Sequence, residues 1–461
     1  MIVNKDGESD MKFIVVGSSH GGYEAVRQIL MSAPNAEIQW YEKGNFISFL
    51  SCGMQTYLEG IAKHVNSISY ATPQEMEKQG VQVFEQQEVT KIDPEKHEVH
   101  VVNHKDGSER DEHYNKLILS CGANPNKLPI PGSDLKNIYA MRGRDWAIRL
   151  KKKTVDPSVH NVVVIGGGYI GIEAAEVFAK AGMHVTLIDR NQRLLANYLD
   201  AEFTPILTKE MEKHHIDVEM NQSAAEFIGK NGRVAAVKND KNTYPADLVI
   251  ESAGIKPNTQ WLKGVVDLTP RGLVKVNDYM QTSVSDIYCV GDATTVRFAP
   301  TGKRSRIALA TNARRQGRFA VMNALGKHVK VPAVSGSSAL HVFSYRFAST
   351  GIKQGTAAHL GVDAESTFVT DTYRPKFVPD QDGNAKVLFK LTYDPKTLRI
   401  LGAQIMSKMD DTANINVISL AIQEHLTVKD LAYADFFFQP GFDRPWNILN
   451  VGAQKALREN K

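Results

Sequence analysis

Cys52 carries the most pointed chemistry in this 461-residue chain. It is one of three cysteines, with Cys121 and Cys289, and the residues that follow it read GMQTY, so no second thiol stands near enough in sequence to pair with it locally. A lone thiolate can cycle between thiolate and sulfenic acid, the first and reversible step of cysteine oxidation. Such a cycle asks for ionisation near neutral pH against a free value of about 8.5, and therefore for a positive neighbourhood. Cys121, in a Ser-Cys-Gly-Ala turn, and Cys289, inside the run IYCV, read as small buried residues.

A second kind of chemistry sits in two glycine-rich turns. Gly166-Gly167-Gly168-Tyr169-Ile170-Gly171 satisfies G-x-G-x-x-G, in which glycines let the backbone reach a pyrophosphate and the next helix supplies N–H groups and a positive dipole. Asp189, at the end of the following strand, is placed to accept hydrogen bonds from a ribose diol and to repel a 2′-phosphate, which favours NADH over NADPH; Arg190 beside it is a guanidinium able to tolerate phosphate. The other turn, Gly17-Ser18-Ser19-His20-Gly21-Gly22, has Ser19 in place of the second glycine, so a side chain must point away from the ligand. Glu42 closes its next strand and suits the adenosine ribose of a second dinucleotide. Gly291-Asp292 presents one carboxylate at a close turn after SDIYCV.

The elements that must position these groups follow from the hydrophobic pattern. FIVVG after Lys12 is a buried parallel strand, a helix runs on through Met31, and EIQWYE is the second strand. The same grammar returns with a strand over 161–165, a helix over 169–181 and a strand over 184–188. Two βαβ openings make an internal repeat of nucleotide-binding units. After Val331 the segments KVLFKLTYD (386–394) and RILGAQIMS (399–407) read as strands and 412–424 as a helix. The expected fold class is α/β, with two Rossmann-like dinucleotide-binding domains and a C-terminal α+β domain.

Fifty-five basic residues against 51 acidic ones leave a charge of only +4, and the triplet Lys151-Lys152-Lys153 reads as a solvated helix face, so nucleic acid is not an expected partner. No apolar run has the length of a membrane span, and the cysteine count fits a reducing, cytoplasmic setting. Residues 1–10 read as a flexible extension.

The first turn with Glu42, Ser120-Cys121-Gly122-Ala123, the second turn, Ala253-Gly254-Ile255-Lys256-Pro257-Asn258 and Gly291-Asp292-Ala293 together resemble the two-dinucleotide flavoprotein disulfide reductase superfamily. GSSHGGYEA (17–25), FISFLSCGMQTYLEG (46–60), MRGRDWAI (141–148), LATNARRQG (309–317) and FFFQPGFDRPWN (436–447) narrow the resemblance to its peroxidase and oxidase branch, on the side of the NADH peroxidases. That resemblance implies a FAD-binding domain of residues 11–125 and 256–330, an NADH-binding domain of 126–255 and a dimerisation domain of 331–461.

By the same resemblance FAD is held by Gly17, Ser18, Ser19, His20, Gly21, Gly22, Glu42, Cys52, Ser120, Cys121, Gly122, Ala123, Arg142, Asp292, Leu309 and Ala310, with Phe438 reaching it across a homodimer or homotetramer. NADH is met by Gly166, Gly168, Tyr169, Ile170, Gly171, Asp189, Tyr198, Gly254, Ala308 and Ala339. Cys52 is the catalytic thiol, His20 its neighbour, and Glu24 with Arg314 a paired layer behind; no metal is implied. From residues alone a histidine in a phosphate loop is more often structural, and the resemblance reverses this. The expected activity is NADH-dependent reduction of hydrogen peroxide to water, with O2-reducing, water-forming NADH oxidation as the alternative. A coenzyme A disulfide reductase and a redox-sensing flavoprotein stand behind both.

Overall fold

The computed structural model describes residues 11–460; the expected extension over 1–10 lies outside the described residues. Lys12–Val16, Glu37–Glu42 and the helix His20–Ser32 form the first βαβ opening. Their strands belong to a five-stranded sheet in the spatial order 287–289, 116–119, 12–16, 37–42, 81–85, in which every pairing is parallel. Phe13, Ile14 and Val15 are fully buried, which is why this strand is an unbroken apolar run.

Asn161–Ile165, the helix Tyr169–Lys180 and His184–Asp189 repeat the unit in a second five-stranded parallel sheet, ordered 216–220, 184–189, 161–165, 248–251, 138–140. Between the two sheets the chain passes twice through a small antiparallel ribbon, Ala123–Pro125 against Ile255–Pro257. The C-terminal part is a five-stranded antiparallel sheet, 338–342, 345–351, 400–407, 386–393, 365–372, packed by the helices Asn414–Gln423 and Ile448–Glu459. The α/β class, with two Rossmann-like sheets and an α+β C-terminal part, is therefore the observed architecture.

Two packing features fix the site. The helices His20–Ser32 and Ala310–Ala324 lie so close that a Cβ on Gly317 would stand 2.4 Å from the Gly21 carbonyl oxygen. A single apolar cluster joins Phe49, Met54 and Leu58, around Cys52, to Ile172 and Ala175 of the second unit and to Val342 and Phe347 of the C-terminal sheet. The Lys151-Lys152-Lys153 triplet departs from the expected solvated face: only Lys152 is exposed, because the Lys151 ammonium donates to the Leu58 carbonyl (2.7 Å) and Lys153 pairs with Asp156 (2.7 Å). Among the described residues no helix is long and apolar enough to cross a membrane.

Candidate active site

The first turn is built to receive phosphate. Gly17 has φ +94°, and a Cβ there would meet the Ser120 carbonyl oxygen at 2.3 Å, while one on Gly22 would meet the Gly17 oxygen at 1.9 Å. Ser19 is exposed, as its replacement of glycine requires, and as N-cap it makes no side-chain bond, so the first turn of the helix keeps its N–H groups for a ligand. Glu42 receives the Ser18 N–H (3.1 Å) and hydroxyl (2.5 Å) on one carboxylate oxygen and the Gly44 N–H (2.8 Å) on the other. A cleft of about 790 Å³ runs from this point and is lined by Gly17, Ser19, Glu42, Cys121, Gly122 and Arg142. Ser18, Ser120 and Ala123 line it too. Its length of glycine-walled backbone and its terminal carboxylate fit a dinucleotide such as FAD.

At the N-terminal end of the helix pair, beside this turn, stand the reactive groups. Cys52 opens to solvent, and its sulfur lies 3.9 Å from His20 Nε2. Arg314, one turn into Ala310–Ala324 and after Leu309, donates to Glu24 (3.0 Å) and lies over the rings of Tyr70 (4.1 Å) and Tyr23 (5.0 Å). Those two rings stack on each other at 5.6 Å. Arg142 donates to Asp292 (2.7 Å), tying the Gly291-Asp292 turn to the entrance of the 144–153 helix.

Burial first, then the Arg314 charge, lowers the His20 pKa below its ordinary value, with Arg142 acting the same way and Asp292 opposing; the ring is neutral at neutral pH. The Cys52 thiol departs from the expected depression. Although the residue is exposed, burial of its sulfur among protein atoms raises its pKa and the Glu173 carboxylate adds to this; the Cys52 and Gly53 backbone N–H groups and Arg314 pull the other way without prevailing. Burial pushes Cys121 up to about 12 and Cys289 well above its ordinary range, so neither is a nucleophile at neutral pH.

The second turn mirrors the first. A Cβ on Gly171 would meet the Gly166 oxygen at 1.7 Å, and Gly166 itself has φ +111°. Asp189 takes the Gly167 N–H on one oxygen (2.5 Å) and the Asn191 N–H on the other (2.7 Å), and is buried. Tyr169 begins the helix with its ring stacked 4.0 Å from that of Tyr198 and its hydroxyl 2.7 Å from Ser338 Oγ. Ile170 and Gly254 are exposed beside this turn, Ala308 precedes Leu309 on an exposed stretch, and Ala339 is exposed on the strand that carries Ser338. Phe438 lies in an exposed segment and is not among the residues lining the cleft.

Sequence reasoning missed the acidic layer under Cys52. Glu173, one turn after Tyr169, is pushed up to about 7 by burial and by the carboxylates of Glu176 and Glu59. Glu59, Glu176 and His341 converge with ligand atoms within 4.8 Å of one another, and the Lys180 ammonium already sits between the two carboxylates at 3.1 and 2.6 Å. The i, i+4 step from Tyr169 to Glu173 was the available signal. The Tyr23–Tyr70 stack had none, because its partners are far apart in sequence.

These two dinucleotide turns around one thiol define a class. Residues 11–317 match the family model of pyridine nucleotide-disulphide oxidoreductases, and residues 337–448 match the dimerisation domain of the same family. The chain belongs to that family; it is an oxidoreductase whose cofactors are FAD and NADH.

Its particular likeness is to NADH oxidases. The "NADH oxidase" of Enterococcus faecalis is 41% identical over 97% of this chain and 99% of its own length. The solved water-forming NADH oxidase from Lactobacillus brevis bound to NADH superposes with a TM-score of 0.94 at 37% identity, covering 98% of this chain and 99% of that one. An engineered water-forming NADPH oxidase bound to NADPH is equally similar in fold, with a TM-score of 0.94; its five substitutions include an aspartate changed to alanine and the alanine directly after it changed to arginine.

Proposed function

We propose that this chain is a FAD-dependent NADH oxidase that reduces O2 to water, with Cys52 consuming the peroxide formed on the way. The observation that carries the choice of oxygen is the 41% identity, along nearly the whole chain, to a protein named NADH oxidase. The sequence motifs favoured hydrogen peroxide as the external acceptor, and these relatives favour the alternative weighed beside it.

Bound FAD supplies the step between two-electron hydride chemistry and oxygen or sulfur redox chemistry. The chain's own groups do the rest. Gly17, Gly21 and Gly22 with the helix N-terminus hold its phosphates and Glu42 its ribose, and Arg142 fixes the Asp292 carboxylate at the ribityl end. Gly166, Gly168 and Gly171 with Asp189 hold NADH, Tyr169 guards the approach of its nicotinamide, and Tyr198, Ile170, Gly254, Ala308 and Ala339 border the path. Cys52 as thiolate attacks one oxygen of peroxide: the S–O bond forms, the O–O bond breaks, and hydroxide leaves and takes a proton to become water. His20, neutral and within reach of the sulfur, positions that proton, and Glu24 holds Arg314 so that its charge favours the thiolate. Reduction of the sulfenic acid by a second NADH equivalent gives the second water. The balance is two NADH, two protons and one O2 to two NAD+ and two waters.

The acceptor is tested by following NADH in air and then under argon with hydrogen peroxide. Oxygen uptake that keeps pace with NADH loss in air supports the oxidase. No uptake in air with rapid turnover on peroxide under argon returns the assignment to a peroxidase.

A further inference from the structure

The C-terminal antiparallel sheet has two unlike faces. One packs on its own helices through Ala348, Ile405, Phe389 and Val369. The other meets the second dinucleotide unit, and two rows of side chains cross it. Leu340, Phe347, Met406 and Leu388 stand opposite one another in register and join the apolar cluster of Leu199, Phe203 and Leu207. Two residues along each strand, on the same face, Ser338, Ser349, Gln404, Lys390 and Phe368 form a second row in register. Gln404 and Lys390 are no more exposed than Leu388 beside them.

This polar row closes on one short stretch of the second unit and on the start of its helix. The Ser338 hydroxyl lies 2.7 Å from that of Tyr169. Gln404 accepts the Asp200 N–H (2.6 Å) and donates to the Asp200 carboxylate (2.7 Å), while the Lys390 ammonium pairs with Asp200 (3.2 Å) and Glu202 (2.7 Å). Asp200 also accepts the Gln354 and Gly355 N–H groups (3.1 and 2.9 Å), and Phe368 meets the Phe203 ring edge-on at 5.7 Å. Asp200 comes two residues after Tyr198, whose ring stacks on that of Tyr169. The row therefore grips both rings of the pair, Tyr169 by its hydroxyl and Tyr198 through its backbone. The Tyr169 ring is turned to the sheet, 6.2 Å from Phe347, and is not among the residues lining the cleft that fits FAD.

A buried lysine, glutamine and aspartate are a costly way to join two surfaces that apolar side chains of similar volume would join as well. What a fully bonded polar set adds is a single geometry. We propose that Ser338, Gln404 and Lys390 are positioning residues that hold the Tyr169–Tyr198 pair aside, so that the C-terminal sheet keeps the way of the nicotinamide to the flavin open. The proposal rests on the reading of Tyr169 as the ring that the nicotinamide must pass. Without the grip the ring spends part of its time across that way. Apparent affinity for NADH then falls with the fraction of open molecules, and hydride transfer from NADH once bound keeps its rate.

The test is anaerobic reduction of the flavin by NADH in a stopped-flow instrument, with hydrogen exchange over residues 195–199 as a readout that needs no turnover. Gln404→Leu is expected to raise the apparent NADH dissociation constant about fivefold, as the loss of a buried hydrogen bond warrants, at an unchanged limiting rate, and to speed exchange of that segment. Leu388→Ala, in the apolar row, lowers stability but leaves the dissociation constant and the exchange as in wild type. Ser338→Ala, at the less buried end of the row, gives the same rise in the dissociation constant and carries the comparison if Gln404→Leu does not fold. Equal effects of Leu388→Ala and Gln404→Leu overturn the proposal, as does a wild-type dissociation constant in both polar-row variants or a change confined to the limiting rate. Wild-type flavin that NADH does not reduce overturns the coenzyme reading itself.

Discussion

The Cys52 thiol is held between opposing influences. Burial and the Glu173 carboxylate favour the neutral thiol; Arg314 and two backbone N–H groups favour the thiolate. With the first pair ahead, alkylation of Cys52 by iodoacetamide is slow at neutral pH and still climbing at about pH 8.5, where a free thiol is half ionised. A plateau below about pH 7 would show that the cations win. Glu173 gives a separate signature. Its folded pKa, raised to about 7, keeps it protonated in the folded chain while the unfolded chain ionises it from the ordinary carboxyl range upward. Its contribution to stability is therefore lost as pH rises towards about 7. Glu173→Gln is expected to flatten the denaturant midpoint over that window and to bring the Cys52 alkylation profile to lower pH; an unchanged pair of profiles speaks against this coupling.

At the scale of elements, the site depends on how closely two helices approach. Gly317→Ala puts a methyl 2.4 Å from the Gly21 oxygen and 3.2 Å from the Ala25 nitrogen, both backbone atoms that cannot swing aside. The expected cost is about 1–3 kcal/mol, read as a lower denaturant midpoint, together with loss of bound flavin, because the same shift moves His20 and Arg314. Full flavin content and an unmoved midpoint would show that the helices can part freely. These elements were legible in the sequence because each obeys one strong local rule. The unbroken apolar strands, the glycine turns and the acid at each second strand stand where the pattern puts them, and EIQWYE spans the whole of Glu37–Glu42. What stayed hidden was made by contacts between distant segments. The tie from Lys151 to Leu58 turned an expected solvated face inward, the Tyr23–Tyr70 stack under Arg314 joins three segments, and burial reversed the expected direction of the Cys52 shift.

At the scale of the molecule, the C-terminal segment after Asp435 leaves Phe437 at 73%, Phe442 at 66% and Trp446 at 51% exposure. Apolar rings so displayed mark a contact surface, and they lie within the matched dimerisation domain. Phe437→Asp is expected to shift the sedimentation coefficient towards a single chain at micromolar protein and to lower turnover with it; an undisturbed oligomer at full activity would place the interface elsewhere. Water formation by one thiol is most directly read from stoichiometry in an oxygen electrode with peroxide followed in parallel. Wild type is expected to oxidise two NADH per O2 with no peroxide released, and Cys52→Ser, which keeps its flavin, to fall to one NADH per O2 with peroxide accumulating. A ratio of one in wild type, or of two in Cys52→Ser, contradicts it.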